Sequence, residues 1–217
     1  MKPDSDRSST PVASLKERQR QARETAILDA AENILAAQGW RALSIEEIAS
    51  RVGIATGTIY LHFAGKDALV AALIARELAT AVGFVEGLDP SLPALTRLRA
   101  VLRMLLQRQV SGMRLITEDM QEWRRLATAD AGCAERLRTL RRRLETLVDD
   151  GKDRGELDLA LPASVAVTAL FALISPRTAR HMESALGEQI DGAHDALIRL
   201  YLRGVARDAA VIDEQGG

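Results

Sequence analysis

Residues 43–69 read LSIEEIASRVGIATGTIYLHFAGKDAL, and this stretch decides the fold. Its first part carries the signals that start a helix. Ser44 is the N-cap, and Glu47, three residues later, closes a capping box. Leu43 and Ile48 are spaced to pack against each other as a hydrophobic staple. The stretch therefore predicts a helix that begins directly after the N-cap.

The predicted helix is short, and a second short helix follows it. Gly53 supplies a stop after barely two turns. The apolar residues of the first helix have the spacing of one buried face: Ile45, Ile48, Ala49 and Val52. We expect the second helix over about 55–62, with Ile59 and Phe63 on its inner side. Two short helices joined by a tight turn predict a helix-turn-helix.

The outer face of the second helix has an unusual composition. Its residues carry short or planar hydrogen-bonding groups, or no side chain at all: Thr56, Gly57, Thr58, Tyr60 and His62. An idle solvated helix would show Glu and Lys there, whereas small hydrogen-bonding groups can enter a DNA groove. This face therefore predicts contact with DNA.

Lys66 supplies an independent argument for a phosphate nearby. It opens the next predicted helix, where a cation opposes the positive end of the helix dipole. A bound phosphate would reverse this penalty, and the backbone amides at the same helix terminus would bind that phosphate together with the lysine.

The residues just described resemble a known signature. The run from Gly57 to Leu69, preceded by Ile48-Ala49 and by Gly53-Ile54, is similar to the helix-turn-helix of the TetR family of bacterial transcriptional regulators. Several fixed positions agree at fixed spacing, and the resemblance covers about residues 22–70. The rest of the chain is compatible with the family in length and helix count but carries no motif.

The resemblance implies a role for each matching position. Thr56 and Gly57 stand where the family reads base edges, and Ser44 stands at a helix start that touches the DNA backbone. Phosphate contacts are implied for Thr58, Tyr60, His62 and Lys66, and an apolar contact for Leu61.

The chain departs from the pattern at Glu46 and Glu47, since some members place a basic, base-reading residue in this helix. Most of the readout therefore falls to the second helix. Glu46 is either an exposed acid or an acceptor for a cytosine amino group.

Composition supports a helical protein without a general affinity for nucleic acid. Of 217 residues, 47% are hydrophobic but only 3% aromatic, which favours helix over sheet. The 29 Lys and Arg balance 30 Asp and Glu, for a net charge of −1. This charge argues against a protein that coats DNA without regard to sequence, because such binding depends on neutralising phosphates.

The sequence gives no sign of export, of a metal site or of a cofactor. Cys133 is the single cysteine, and no cysteines and histidines stand at zinc-binding spacing. The first residues hold no apolar signal region, and no run of 18 apolar residues follows. We therefore expect a cytoplasmic protein with no metal, no cofactor and no membrane partner.

Periodicity extends the all-α prediction along the whole chain, to about nine helices. Besides the two short helices, these are expected near 16–38, 66–86, 91–109, 113–129, 131–152, 163–184 (bent at Pro176) and 189–208. We expect four regions: a disordered arm (1–14), a three-helix DNA-binding domain (15–66), a helical effector-binding and dimerisation domain (67–208) and a disordered tail (209–217).

The second domain carries two expected surfaces. By the resemblance, the helices around 91–152 surround a ligand cavity, and the candidate lining residues are Leu102, Leu105, Leu106, Met113, Met120 and Trp123; ordinary core packing is the alternative. The last two helices offer more apolar surface than one helix pair can bury, which predicts a homodimer. The candidate interface residues are Val165, Ala169, Phe171, Leu173, Leu197, Leu200, Tyr201 and Val205.

Two clusters of cations allow more than one interpretation. The basic residues of the first helix are an arm that reaches DNA or a solvated helix start: Lys16, Arg18, Arg20 and Arg23. Five arginines crowd residues 136–143, but leucines interleave with them at helical spacing, which indicates the solvated face of an amphipathic helix.

The function expected from all of this is a ligand-responsive, homodimeric transcriptional repressor and not an enzyme. Its partners are a palindromic double-stranded operator and an apolar small-molecule effector. The alternative is a helical, metal-dependent phosphohydrolase that uses the late His181, His194 and Asp195 cluster together with Asp208. That cluster is compressed into the last 40 residues of the chain.

Overall fold

The computed structural model describes residues 14–38, 42–110, 125, 130–186 and 190–208. Over these residues it contains helices and no strand, which confirms the all-α prediction. The helices are α1 (Leu15–Gln38), α2 (Ile45–Val52), α3 (Thr56–Tyr60), α4 (Lys66–Glu86), α5 (Ala94–Val110), α6 (Ala131–Asp153), α7 (Ala163–Leu173), α8 (Pro176–Leu186) and α9 (Ile190–Val205).

Three expected elements fall mostly or wholly outside the described residues. The arm before Ser14 and the tail after Asp208 are not described, and of the helix expected near 113–129 only Arg125 is, in helical conformation. The expectations for those segments therefore stay predictions.

One predicted helix is wrong in a way that has a local cause. The single bent helix expected at 163–184 is two helices, because Ser175 caps a new helix: its Oγ accepts a hydrogen bond from the Thr178 amide at 3.2 Å. Pro176 is then the first residue of α8, where a missing N–H costs nothing and the fixed φ suits a helix start.

The first three helices share one core. Ile34 from α1, Ile48 from α2 and Ile59 from α3 are almost completely buried, and α1 packs on α2 while α2 packs on α3. Phe63 follows α3 and is also buried, as its spacing from Ile59 predicts. This core holds the two short helices in a fixed relation.

Helix α4 is the central helix of the protein. By length and composition alone it could cross a membrane, but eight of its residues are buried against the rest of the chain, and it packs against α1, α5 and α6. Arg76 and Glu77 are charged residues in its middle.

These two neighbouring charges pair in different directions. Arg76 contacts Asp29 and Glu32 of α1, at 2.6 Å to each carboxylate. The Glu77 carboxylate accepts a hydrogen bond from Nε of Arg108 on α5 at 2.6 Å. Helix α4 is therefore tied by one residue to the first helix and by the next residue to the C-terminal helices.

The C-terminal helices pack closely around α6. A Cβ built on Gly151 would lie 2.6 Å from the Ala94 Cβ, so the absence of a side chain lets α5 approach α6. Tyr201 of α9 is buried, and its hydroxyl donates to the Ala166 carbonyl of α7 at 3.0 Å. Burial raises the pKa of Tyr201 to about 12, so the phenol stays neutral at physiological pH.

Candidate nucleic-acid interface

The turn between α2 and α3 is built as the sequence predicts. The Ser44 hydroxyl accepts a hydrogen bond from the Glu47 amide at 3.1 Å. Gly53 ends α2 at φ 73°, ψ 37°, a left-handed conformation that glycine adopts without strain. The capping box is only half made, because the Glu47 carboxylate binds Arg51 Nε at 2.9 Å.

Helix α3 is shorter than the predicted 55–62. Its end is tightened by hydrogen bonds of the 3₁₀ type: the Leu61 amide donates to the Thr58 carbonyl, and the His62 amide donates to the Ile59 carbonyl. The regular helix therefore stops at Tyr60, while the next two residues continue as a turn.

The outer face of α3 presents its candidate residues together. Thr56 and Gly57 are exposed, Tyr60 is 55% exposed and Leu61 is 81% exposed, whereas Thr58 is half-buried. Apart from its chain neighbours and the backbone of its own helix, no heavy atom lies within 4 Å of a Cβ built on Gly57, so the space in front of this backbone is open. The face can approach another molecule closely without rearrangement.

His62 has a partner that the sequence did not indicate. Its side chain is only 10% exposed, and its Nδ1 lies 3.2 Å from the Glu24 carboxylate of α1. Glu24 also pairs with Arg20 at 3.2 Å. The two partners are 38 residues apart, so no local pattern could reveal this contact, which fastens the end of α3 to α1.

Lys66 is the first residue of α4, as predicted, and its side chain is half-exposed. The neighbouring Asp67 carboxylate accepts a hydrogen bond from Arg125 at 2.9 Å. The end of α4 nearest to α3 is thus linked to the segment expected to border the ligand cavity.

The candidate pocket residues divide into two groups. Leu102 and Leu106 are buried in the core and Leu105 is half-buried, while Met113, Met120 and Trp123 lie outside the described residues. The structure has a cleft of about 640 Å³ between α4, α5 and α6, and none of the candidates lines it. Its lining residues are Val85, Glu86, Leu88, Pro90, Arg97, Arg143, Thr146, Leu147 and Asp150.

The charges around this cleft are internally paired. Arg97 is buried and binds the Asp150 carboxylate, and Arg143 binds Glu86 at 2.8 Å. The hydrogen bond from Arg97 holds the pKa of Asp150 below its usual range.

The candidate dimer residues also separate by burial. Val165 is 50% exposed and Leu200 is 66% exposed, and Ala169 is exposed beside them; Phe171, Leu173 and Leu197 are half-buried. Tyr201 and Val205, however, are buried within the chain itself. The expectation for these two is corrected, since they serve the core between α9 and its neighbours and have no surface to offer a second copy.

The residues of the alternative metal site do not come together. Across the described parts of the chain, no group of three His, Cys, Asp or Glu side chains is placed to hold a metal ion. Asp195 instead pairs with Arg103 at 3.3 Å, and His181 is exposed. The phosphohydrolase hypothesis gains no support from this arrangement.

Comparison with known sequences identifies the N-terminal region. The family described as "Bacterial regulatory proteins, tetR family" matches residues 27–73, which include α2, α3 and the start of α4. The fatty acid metabolism regulator protein of Bacillus subtilis (strain 168) is 26% identical over 85 residues. That match covers 39% of this chain and 42% of the relative, less than half of either length.

Solved structures share the fold over most of the chain. The fatty acid degradation regulator FadR of Bacillus halodurans has a TM-score of 0.64 at 22% identity, covering 83% of this chain and 93% of that one. FadR from Bacillus subtilis, solved in complex with stearoyl-CoA, has a TM-score of 0.61 at 19% identity, covering 83% and 98%. At these identities the likeness concerns the fold.

Proposed function

Because residues 27–73 match the tetR family of bacterial regulatory proteins, we propose that this chain is a member of that family and a sequence-specific transcriptional regulator of the repressor type. It acts as a cytoplasmic homodimer without catalytic activity, binds a palindromic operator and leaves it when an apolar effector binds. Residues 15–66 form the DNA-binding domain and residues 67–208 the effector and dimerisation domain.

The observation that supports this proposal is the open outer face of α3, a helix that the core of the first three helices holds in place. The backbone at Gly57 has free space in front of it, Tyr60 is exposed on the same short helix, and Leu61 is exposed in the turn that follows it. The core under α3 fixes the helix, so its exposed groups are held ready for a DNA groove.

Within that frame we assign the contacts by position. Thr56 and Gly57 read base edges, and Leu61 adds an apolar contact. Phosphates are bound by the remaining candidates of the motif: Ser44, Thr58, Tyr60, His62 and Lys66. His62 keeps its Nδ1 on Glu24, so only its other ring nitrogen is assigned to DNA.

Selection from random double-stranded DNA tests the proposal. Two copies of α3 related by a two-fold axis enter successive major grooves, so the recovered sites are inverted repeats with half-sites about 34–36 Å apart, or a multiple of that. Recovery of unsymmetrical sites, or of none, would overturn the proposed function.

We place the dimer contact on α7 and α9, where Val165, Ala169 and Leu200 leave apolar surface in solvent. Obligate dimers bury such surface because it resembles a domain core. Light scattering should give about twice 23.6 kDa at micromolar concentration. A monomeric mass would remove the two-fold axis on which the palindrome depends.

The effector is expected to act through α4, which is tied to α1 by Arg76 and to α5 by Glu77. Stearoyl-CoA is the first probe, because a FadR structure that shares this fold contains it. To weaken operator affinity tenfold, an effector must bind the state that cannot hold DNA more tightly than the state that can, by about 1.4 kcal/mol. By reciprocity, saturating operator must weaken the binding of stearoyl-CoA by the same factor. Calorimetry measures the affinity for stearoyl-CoA with and without operator. Equal affinities in the two titrations would show that the compound binds without regulating.

A further inference from the structure

Helix α1 is longer than its packing requires. Its buried residues begin at Ile27 and continue with Ala31, Ile34 and Leu35, whereas every residue from 15 to 26 is exposed or half-buried. About three turns of helix therefore extend beyond the core. Ser14 caps this extension, accepting a hydrogen bond from the Glu17 amide at 3.2 Å.

The exposed extension continues the face that is buried further along α1. At 100° per residue, Lys16, Arg20 and Arg23 fall on the same side of the helix as Ile27 and Ala31. Arg18 falls on the opposite side. The side of α1 that packs on the core at Ile27 therefore carries cations in the extension, where α1 is no longer packed against the core.

The contact between Glu24 and His62 shows where the extension lies. It places Glu24 against His62 in the turn that follows α3, and the residues before Glu24 extend α1 beyond this contact. Lys16 lies about 12 Å beyond Glu24 along the helix axis, given a rise of about 1.5 Å per residue. Arg23 is therefore next to the residue that contacts the end of α3, and Lys16 lies about two turns further along the same side of α1.

The charge of this segment differs from that of the chain. Residues 15–23 hold four cations, Lys16, Arg18, Arg20 and Arg23, and one acid, Glu17, for a net charge of +3 in a chain of −1. Arg20 is engaged by Glu24. Within the described residues, Lys16 and Arg23 form no ion pair, so they are available to a partner.

We propose that the domain-facing side of this extension, at Lys16 and Arg23, is a second DNA contact that binds backbone phosphates next to the half-site read by α3. The inference rests on the proposed function, because it requires an operator. Phosphate contacts carry no sequence information, so this surface adds affinity and salt dependence and leaves base preference to α3.

The test measures operator affinity against salt concentration for the full-length protein and two double variants. Lys16→Ala with Arg23→Ala removes both proposed contacts, and alanine preserves the helix. Two copies in a dimer remove four phosphate contacts, so the slope of log K against log salt should fall in magnitude by about 3 to 4.

The matched control is Arg18→Ala with Arg138→Ala, which removes the same charge from the opposite side of α1 and from the exposed face of α6. Its slope should remain that of the unaltered protein. Circular dichroism verifies that both variants keep their helix content, and repeated site selection should return the same operator for both.

The outcomes separate this inference from the function on which it rests. Failure of the unaltered protein to bind any operator would overturn the proposed function. Normal operator binding with an unchanged slope in the Lys16 and Arg23 variant would overturn the second contact alone. Equal losses in both double variants would also overturn it, since total charge and not the domain-facing side would then set the affinity.

Discussion

The exposed faces of α3 and α6 differ in composition, and they also differ in whether their polar groups already have partners within the protein. The face of α3 shows hydroxyl, phenol and bare backbone. The face of α6 is crowded with arginine, yet Arg138 and Arg142 both bind Glu135, and Arg143 binds Glu86. Arg141 reaches Glu145 and lies 5.4 Å over the ring of Phe171.

If α3 binds DNA as we propose, this difference teaches that charge density is a poor guide to the DNA-binding surface. Four of the five arginines, Arg138, Arg141, Arg142 and Arg143, already have partners on the protein, and a phosphate would have to displace those partners. The α3 face is neutral, but its groups point into open space from a helix that the core holds fixed. The two surfaces are distinguished by whether their polar groups are available to bind DNA, and not by their charge.

The largest expected effect comes from Gly57→Ala. The added methyl group meets no protein atom and improves helix propensity, so stability should be unchanged or rise by up to about 1 kcal/mol. Operator affinity should nevertheless fall by about 1–3 kcal/mol, roughly 5- to 150-fold, because the methyl occupies space that a base edge requires. Fluorescence anisotropy and thermal unfolding measure the two effects.

Gly83→Ala is the control for that variant. Gly83 lies within α4, and a Cβ built there also meets nothing within 4 Å. The same gain in stability with no loss of operator affinity is expected. If the Gly57→Ala variant bound the operator with full affinity, the contrast between α3 and α6 would be wrong, because the open face of α3 would then not contact DNA.

A smaller effect is expected for Glu24→Ala. The variant removes the carboxylate that holds the His62 ring, so the end of α3 loses a hydrogen bond worth about 1 kcal/mol. Operator affinity should fall severalfold, while the operator recovered by selection stays the same. Asp29→Ala serves as the control, because it removes an acid from the same helix without touching His62. Equal binding losses in the two variants would argue against a specific role of the His62 contact.

Arg142→Ala should have almost no effect on DNA binding. Exposed ion pairs contribute about 0–1 kcal/mol, so stability should change by no more than about 0.5 kcal/mol. Operator affinity and its salt slope should equal those of the unaltered protein. A slope lowered by 1 or more would show that the α6 face does bind phosphate.

The smallest expected effect is a change in the pKa of one carboxyl group, that of Glu135. The hydrogen bond and charge of Arg138 hold the pKa of Glu135 below its usual range, so Arg138→Ala should raise it. A lowered pKa in the folded state contributes stability above the ordinary glutamate pKa and loses it as the pH falls through the lowered value. The two proteins should therefore differ at neutral pH and converge in acid, which carboxyl NMR and unfolding at several pH values can follow.

Sequence predicted best where the signals are local. The start of α2 at Ser44, its end at Gly53 and the bounds of α4 all follow from residues adjacent to the boundary. At Pro176 the sequence predicts a bend and not the break that the structure has, although Ser175-Pro176 is itself a local cap, because the apolar pattern continues across it.

Features made by distant residues were not predictable in this way. The Glu24 contact with His62 joins two helices whose packing no single segment specifies. Periodicity likewise identified Tyr201 and Val205 as apolar, but it could not show that neighbouring helices of the same chain already cover them. The pattern shows which residues avoid water, and only the fold shows what covers them.

The adjacent charges of α4 constrain how its length can vary. Arg76 reaches α1 and Glu77 reaches α5 because successive residues of a helix point about 100° apart. Insertion of one residue between Lys66 and Arg76 would keep both charges but swing the helix-turn-helix by that angle about the α4 axis. Even an insertion of seven residues, which nearly restores the orientation, would shift the two parts of α4 by about 10 Å along the helix axis and separate Arg76 from α1, so length changes in this part of α4 should not be tolerated.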